Sequence, residues 1–292
     1  MSTKLGKSLS FVLLALIITA CLACKGTEAS LSADQIMEKA TAAQADVRSG
    51  VLDVDNLTIN FQGKSSGSDT GGMISLDGSC AIDQANREVG ANANANISMG
   101  MPGQPSISMT MTMQMYVVDN CTYTMMSLPG QKPTWTKQGI PADFWETLNT
   151  IESQTDPLDI AEVKLIREEK VGDIDCYLLE IVPDFEKLQE QLTQQFTEGA
   201  NMQLPNLKDI ISSFSLNVWV AKDTFFISKA KMEMTLLLTS EVLGTSAGGD
   251  EMTLNMSLDL QAHDYNQPVS IELPPEALKA TEGTSSLFGL PF

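Results

Sequence analysis

The stretch Met109-Thr110-Met111-Thr112-Met113-Gln114-Met115 alternates thioether and polar side chains without a break. An extended strand sends successive side chains to opposite faces, so these four methionines share one side. Met99, Met101, Met125, Met126, Met232, Met234, Met252 and Met256 fall on neighbouring or later strand-like stretches. Three kinds of chemistry fit such a set. The first is an ordinary buried sheet face. The second is a lining for a flexible apolar ligand, because methionine is unbranched, polarizable and repacks around varied shapes. Its candidate residues are Met109, Met111, Met113, Met115, Met232 and Met234. The third is a Cu(I) site, since thioethers are soft ligands. Alternation spaces successive sulfurs about 7 Å apart and no histidine lies nearby, which argues against copper.

The other reactive side chains are few. His263 is the only histidine and precedes Asp264 at the end of a strand-like stretch. One histidine excludes multi-histidine metal sites, and no serine stands with an orienting partner in a triad pattern. His263 therefore reads as a rim residue. Asp53/Asp55 and Asp173/Asp175 are spaced by two and read as solvated faces. Gly-rich phosphate loops, zinc-type cysteine spacing and calcium-loop spacing do not occur. No catalytic residue, metal site or cofactor follows from the sequence, and an enzyme is the least favoured class.

The N-terminus carries a separate signal. Lys4 and Lys7 precede an apolar core, Leu9 to Ala20. That core is about a dozen residues, short of the roughly 20 needed to span a bilayer, so it reads as an export signal. Ile18-Thr19-Ala20-Cys21 resembles the lipobox of bacterial lipoprotein signals: an aliphatic residue, two small residues, then cysteine. The resemblance implies removal of residues 1–20 and a diacylglycerol thioether on Cys21. Cys24 is a poorer candidate, because Cys21 then stands where an aliphatic residue is expected. The alternative is an ordinary secretory signal with two incidental cysteines. Residues 22–31, LACKGTEASL, are small and polar and read as a flexible tether. Two or three acyl chains anchor a protein stably. The expected location is the extracytoplasmic face of the cell membrane, attached through the N-terminal lipid.

About 270 residues remain after such a signal, enough for one large domain with a core. The chain has 37 acidic against 18 basic side chains, a net charge of −19. That surface repels nucleic acid and anionic headgroups, so a nucleic-acid partner is excluded. Export permits disulfides among Cys80, Cys121 and Cys176. Cys80 and Cys121 are the candidate pair, at strand ends that share a rim. In a simple meander they stand three strand spacings apart, about 14 Å. That exceeds the roughly 7 Å Cα limit for a bridge, so pairing requires a curled sheet or another strand order.

The periodicity places these residues on elements. Ala33 to Val47 predicts a helix, with Ser32 and Gln35 forming a capping box and Ile36, Ala40, Ala43 and Val47 on one stripe. A period of two follows, with strands at Leu52–Phe61, Met73–Ile82, Arg87–Met99, Ser106–Val118, Cys121–Ser127 and Thr134–Lys137. Pro141–Ile151 predicts a helix, then Ala161–Glu169 and Asp173–Ile181 a strand pair. Pro183–Phe196 and Asn206–Phe214 predict two more helices. Strands return at Ser215–Ala221, Phe225–Leu238, Met252–His263 and Pro268–Leu273, and Pro274–Leu278 closes with a helical turn. Phe185, Leu188, Leu192 and Phe196 make a narrow apolar stripe on a polar helix. It either packs on the sheet or serves as a movable lid.

This order is α+β, with one large antiparallel sheet. With Val171-Gly172-Asp173-Ile174-Asp175-Cys176-Tyr177-Leu178-Leu179-Glu180-Ile181 and Asp264-Tyr265-Asn266-Gln267-Pro268-Val269-Ser270-Ile271-Glu272-Leu273-Pro274, it resembles the LolA/LolB-type lipoprotein carriers and the LppX/LprG-type lipoproteins. The resemblance implies a curved half-barrel with helices covering the concave face over an apolar cavity. It implies a single domain over residues 32–280 with a C-terminal tail at 281–292, and a lipid or other hydrophobic ligand. No family binding residue maps onto a matching position; Arg87 lies on a strand without a motif that ties it to one. Two non-enzymatic functions compete: a lipid-binding lipoprotein, and an envelope interaction or sensor protein whose core is filled and whose protein partner the sequence leaves unnamed.

Overall fold

The computed structural model describes residues 31–65, 68–100, 106–141, 144–145, 161–190, 206–243 and 251–283. Cys21, Cys24, the tether up to residue 30, Met101, the lid positions Leu192 and Phe196, and most of the expected Pro141–Ile151 helix lie outside the described residues.

Helix α1 spans Ala33–Ala45 and begins at the expected capping box. The Ser32 hydroxyl accepts from the Gln35 amide at 3.2 Å, and the Gln35 side chain accepts from the Ser32 amide at 3.0 Å. These bonds satisfy two donors that a helix start otherwise leaves unpaired. Ile36, Met37 and Ala40 form its buried face.

The strands are β1 (Ser49–Ser65), β2 (Ser68–Asp83), β3 (Glu88–Gly100), β4 (Ile107–Val118), β5 (Cys121–Ser127), β6 (Thr134–Gly139), β7 (Ala161–Val171), β8 (Ile174–Pro183), β9 (Ile211–Ala221), β10 (Ile227–Thr239), β11 (Glu251–His263) and β12 (Thr281–Glu282). They form one twelve-stranded sheet in the order β12-β6-β5-β4-β3-β2-β1-β11-β10-β9-β8-β7. Two meanders, β1–β6 and β7–β11, are sewn together by antiparallel pairing of β1 with β11. The short β12 runs parallel to β6 and makes the sheet mixed.

The result is an α+β curved half-barrel, open between β12 and β7. Its curvature has local causes. β1 is bulged between Val54 and Leu57 against both neighbours, and β7 between Leu165 and Arg167. A bulge adds a residue to one strand and bends it. Glycines sit where neighbouring backbone crowds in: a Cβ on Gly78 would stand 2.2 Å from the Asn92 carbonyl oxygen, and one on Gly72 would stand 2.5 Å from the Ser98 carbonyl oxygen.

Two expectations change. The Asn206–Phe214 helix is one turn, α2 (Leu207–Ile210), and Ile211 already belongs to β9. Pairing with β10 takes over there, because Phe214, Leu216 and Val218 match Met234, Met232 and Ala230 with period two. Pro268–Leu273 is irregular rather than a strand. The turn at Asp264 and Asn266, both at positive φ, directs it off the sheet, and Pro268 has no amide proton to give a ladder. Among the described residues, helical cover of the concave face lies on one half of the sheet. α1 packs over the β7–β11 half. The C-terminal segment packs on the opposite face, where Leu273, Ala277 and Ala280 meet Tyr123, Met125 and Trp135.

The two ends of the sheet differ. At one end, the turn end, connections are short: residues 84–87, 119–120, 172–173 and 222–226. Arg87, Asp119, Asn120, Gly172, Phe225, Asp264 and Asn266 all take positive φ there. The loop end carries the segments after β1, β3, β5, β8 and β10.

Candidate functional site

Residues paired across a ladder stand side by side on the same face, so the register maps each face. One row reads Phe214, Met234, Met256, Ile59, Ile74, Ile97, Met109 from β9 to β4. The next, toward the turn end, reads Leu216, Met232, Leu258, Leu57, Leu76, Ala95, Met111. Met109 and Met234, remote in sequence, thus share one row, and Met111 and Met232 share the next. Met113 stands beside Ala93 and Met126, and Met115 beside Ala91. Met111, Met113 and Met115 therefore border a column of alanines on β3, long flexible side chains beside short ones.

The paired stretches of β1–β5 and β9–β11 place no carboxylate, ammonium, guanidinium or imidazole on this face. The reverse face holds Asn94, Asn96, Thr110 and Thr112, whose side chains bond one another and Asp77, with Lys229, Lys231, Glu233 and Asp259 farther along.

Burial of the apolar face is graded. Under α1 it is a filled core: Ile36 and Met37 are fully buried, as is Leu179, and Met232 is 1% exposed. On β4 exposure falls from the loop end to the turn end: Ile107 57%, Met109 37%, Met111 to Met115 half-buried, Val117 1%. Met99 and Met126 are also exposed. The methionine ladder is the open part of this face, and Met232 and Met234 lie in its packed part.

Phe185 and Leu188 sit on a helical turn, residues 185–190, started by Asp184, whose carboxylate accepts from the Glu186 and Lys187 amides at 3.0 and 3.3 Å. Leu188 is buried, and Phe185 meets Phe214 edge-on at 5.8 Å. The Gln189 side chain accepts from the Leu207 amide at 2.8 Å, and Glu186 pairs with Lys208. These two stripe residues pack on the sheet. Beneath them, β8 and β9 part beyond the Ile181–Leu216 pair, leaving a pocket of 190 Å³ between Glu180–Pro183, Phe185 and Ile211–Ser215.

His263 lies on the polar face, with Nε2 3.0 Å from Asp53 and Nδ1 2.9 Å from Asp264. The bond to Asp53 raises its pKa, helped by Asp264 and opposed by burial. Asp53 is held below the usual carboxylate range by the Ser79 hydroxyl and by His263, against partial burial. Among the described residues, no group of three or more His, Cys, Asp or Glu is placed to hold a metal ion. The copper reading gains no imidazole, since His263 is on the reverse face.

Cys80 and Cys121 are free thiols. The meander places β3 and β4 between their strands, so no bridge joins them in this structure. Cys80 lies in the apolar face and burial pushes its thiol pKa up.

The sequence missed the β8–β9 pocket, because Ser212, Ser213 and Phe214 read as helix. The usable signal was the two-residue period of Phe214, Leu216, Val218 and Val220.

A family model matches residues 32–282. The chain belongs to the DUF6612 family, a family of unknown function. Comparison with curated proteins found no match. Among solved structures, the DUF6612 chain is similar to the lipoprotein LppX of Mycobacterium tuberculosis, with 13% identity, 81% of this chain and 96% of that one covered, and a TM-score of 0.34. It is similar to a LolA-superfamily protein of Nitrosomonas europaea at 14% identity, 80% and 95% coverage and a TM-score of 0.22. A beta-barrel-like DUF1849 protein of Brucella abortus matches at 11% identity, 75% and 100% coverage and a TM-score of 0.27.

Proposed function

We propose that this DUF6612 protein is a non-enzymatic, membrane-anchored lipoprotein that binds a lipid or other hydrophobic amphiphile on the concave face of its sheet. The observation that carries this is the uncharged apolar face, packed under α1 and progressively open along β4. Large exposed apolar patches mark binding surfaces more often than idle ones. Methionine suits chains of different length, because it changes rotamer at little cost. Met109, Met111, Met113 and Met115 are then lining residues, with Met232 and Met234 behind them as packed floor.

Native mass spectrometry of the full chain, extracted gently from membranes, should show a bound amphiphile that organic solvent removes. Release of nothing but protein would contradict the proposal. A filled-core interaction protein is the second reading, favoured by the packing of Ile36, Met37 and Leu188 into the β8–β11 half. Under that reading, solvent extraction changes neither mass nor stability, and cross-linking recovers a protein neighbour.

Anchoring rests on Cys21. Cys21→Ala should remove acylation of the N-terminal peptide and free the protein from the membrane. Acylation that persists would move the modified residue to Cys24.

A further inference from the structure

The pocket between β8 and β9 lies where the wall of the half-barrel parts, at the loop end. Its volume of 190 Å³ is room for about six waters. That is less than the roughly 300–1,000 Å³ of sites that enclose a whole small ligand. It has two chemistries. Phe185, Ile211 and Phe214 form its apolar side, and Phe214 heads the row that crosses the concave face through Met234, Met256 and Ile59 to Met109. At about 4.8 Å per strand, that row offers roughly 29 Å of uncharged arc. Ser212, Ser213, Ser215 and Glu180 form the polar side, with Ser213, Ser215 and Glu180 on the reverse face by register, and Glu180 is the only ionisable residue among the described lining residues.

The charges around the pocket are weighted to one sign. Glu162, Asp184, Glu186 and Asp209 stand on the elements that frame it, against Lys164, Lys187 and Lys208. Lys164 lies 3.5 Å from Glu162, and Lys208 pairs with Glu186. An anionic group brought into the pocket would meet the Glu180 carboxylate with no cation among the described lining residues to offset it. A hydroxyl or ammonium group would find acceptors in Glu180 and the three serine hydroxyls.

We infer that this pocket is the headgroup subsite of the bound amphiphile, and that it selects a hydrogen-bond-donating headgroup without net negative charge while the chain runs past Phe214 onto the methionine-bearing face. The inference rests on the apolar face being the chain site.

The test uses the full chain and three probes with the same dodecyl chain, titrated calorimetrically below their micellar concentrations: dodecyl glucoside, dodecylammonium and dodecyl phosphate. The glucoside and the ammonium should each bind at least about tenfold more tightly than the phosphate, a difference of about 1.4 kcal/mol. Whichever of the two binds more tightly identifies a hydroxyl or an amine head as the natural chemistry. Glu180→Lys should bring the phosphate level with the glucoside, and Ser213→Ala with Ser215→Ala should weaken the glucoside several-fold. Asp173→Asn, at the turn end, should leave the order intact, which separates the pocket from the bulk negative charge. Thermal unfolding of each variant confirms that it folds. Equal affinity for all three probes, or an order unchanged by Glu180→Lys, overturns the headgroup subsite and leaves the chain site standing. Binding of none of the probes overturns both.

Discussion

The turn end and the loop end of the sheet use the same strands for different purposes. At the turn end the chain reverses in few residues and the backbone is fixed by specific bonds. The Asn266 side chain accepts from the Arg48 amide at 2.7 Å, its own amide donates to the Ser49 carbonyl at 2.9 Å, and the Ser49 hydroxyl donates to the Gln267 carbonyl at 2.7 Å. Tyr265 donates to the Ile227 carbonyl at 2.7 Å and stacks on Phe226. The junction of α1 with β1, the end of β11 and the start of β10 are thereby tied together. At the loop end, Met99, Ile107 and Met109 stand in water. A fold that ties its turn end with directional bonds and leaves apolar side chains open at the loop end of β3 and β4 is organised to hold its shape while one region stays available.

The comparison breaks hardest if curvature is removed. Gly78→Val places side-chain atoms against the Asn92 carbonyl, and both strands are held in register on either side. A loss of about 3 kcal/mol or more is expected in a denaturant titration. The packed and open parts of the apolar face should then separate cleanly. Met37→Ala removes a fully buried side chain under α1 and should cost about 2–5 kcal/mol. Met109→Ala should cost under about 1 kcal/mol, because that side chain is already partly in water. Similar losses at both sites would mean that the β4 face is core.

Smaller effects test the turn end. In the αL turn at Asp119-Asn120, both residues take positive φ. Asn120→Ala should destabilise by about 1 kcal/mol, since asparagine tolerates that conformation better than other side chains with a Cβ. The His263 cluster should give the smallest signal, through pH. Its raised pKa contributes stability that is full below the unfolded histidine value, near 6.5, and is lost as pH rises through the folded value. The lowered pKa of Asp53 contributes stability that is full above the unfolded aspartate value, near 3.9, and is lost as pH falls through the folded one. The pairing is therefore strongest between about pH 4 and 6.5, and stability should decline as pH rises above that window. Both partners are substantially exposed, so the change should stay under about 1 kcal/mol. His263→Gln should flatten the decline in a pH series of melting temperatures.

Much of the scaffold was legible because its signals are local. β4 and β5 alternate cleanly, and the capping box marks the start of α1. What joins the halves was not legible. The β1–β11 register depends on a bulge at Val54–Asn56, and a one-residue slip there would turn each later side chain of β1 to the other face. The start of β9 reads as helix in the sequence because Ser212-Ser213 interrupt the two-residue apolar pattern, and the structure keeps only one helical turn there, capped by Asn206. The Pro268–Leu273 segment alternates like a strand, yet its apolar residues serve a crossing over the far face. The methionine ladder was legible as a face. That Met234 shares its row with Met109 follows only from pairings far apart in sequence.

The central claim is that the concave face binds an apolar chain where the methionines leave it open. The direct measurement is a titration of the solvent-extracted full chain with an uncharged, environment-sensitive acyl probe, run beside Met111→Asp. Saturable binding by the parent chain, lost or weakened at least about tenfold in a variant that still melts cooperatively, is the predicted result. Absence of saturable binding, or equal binding by Met111→Asp, would contradict it.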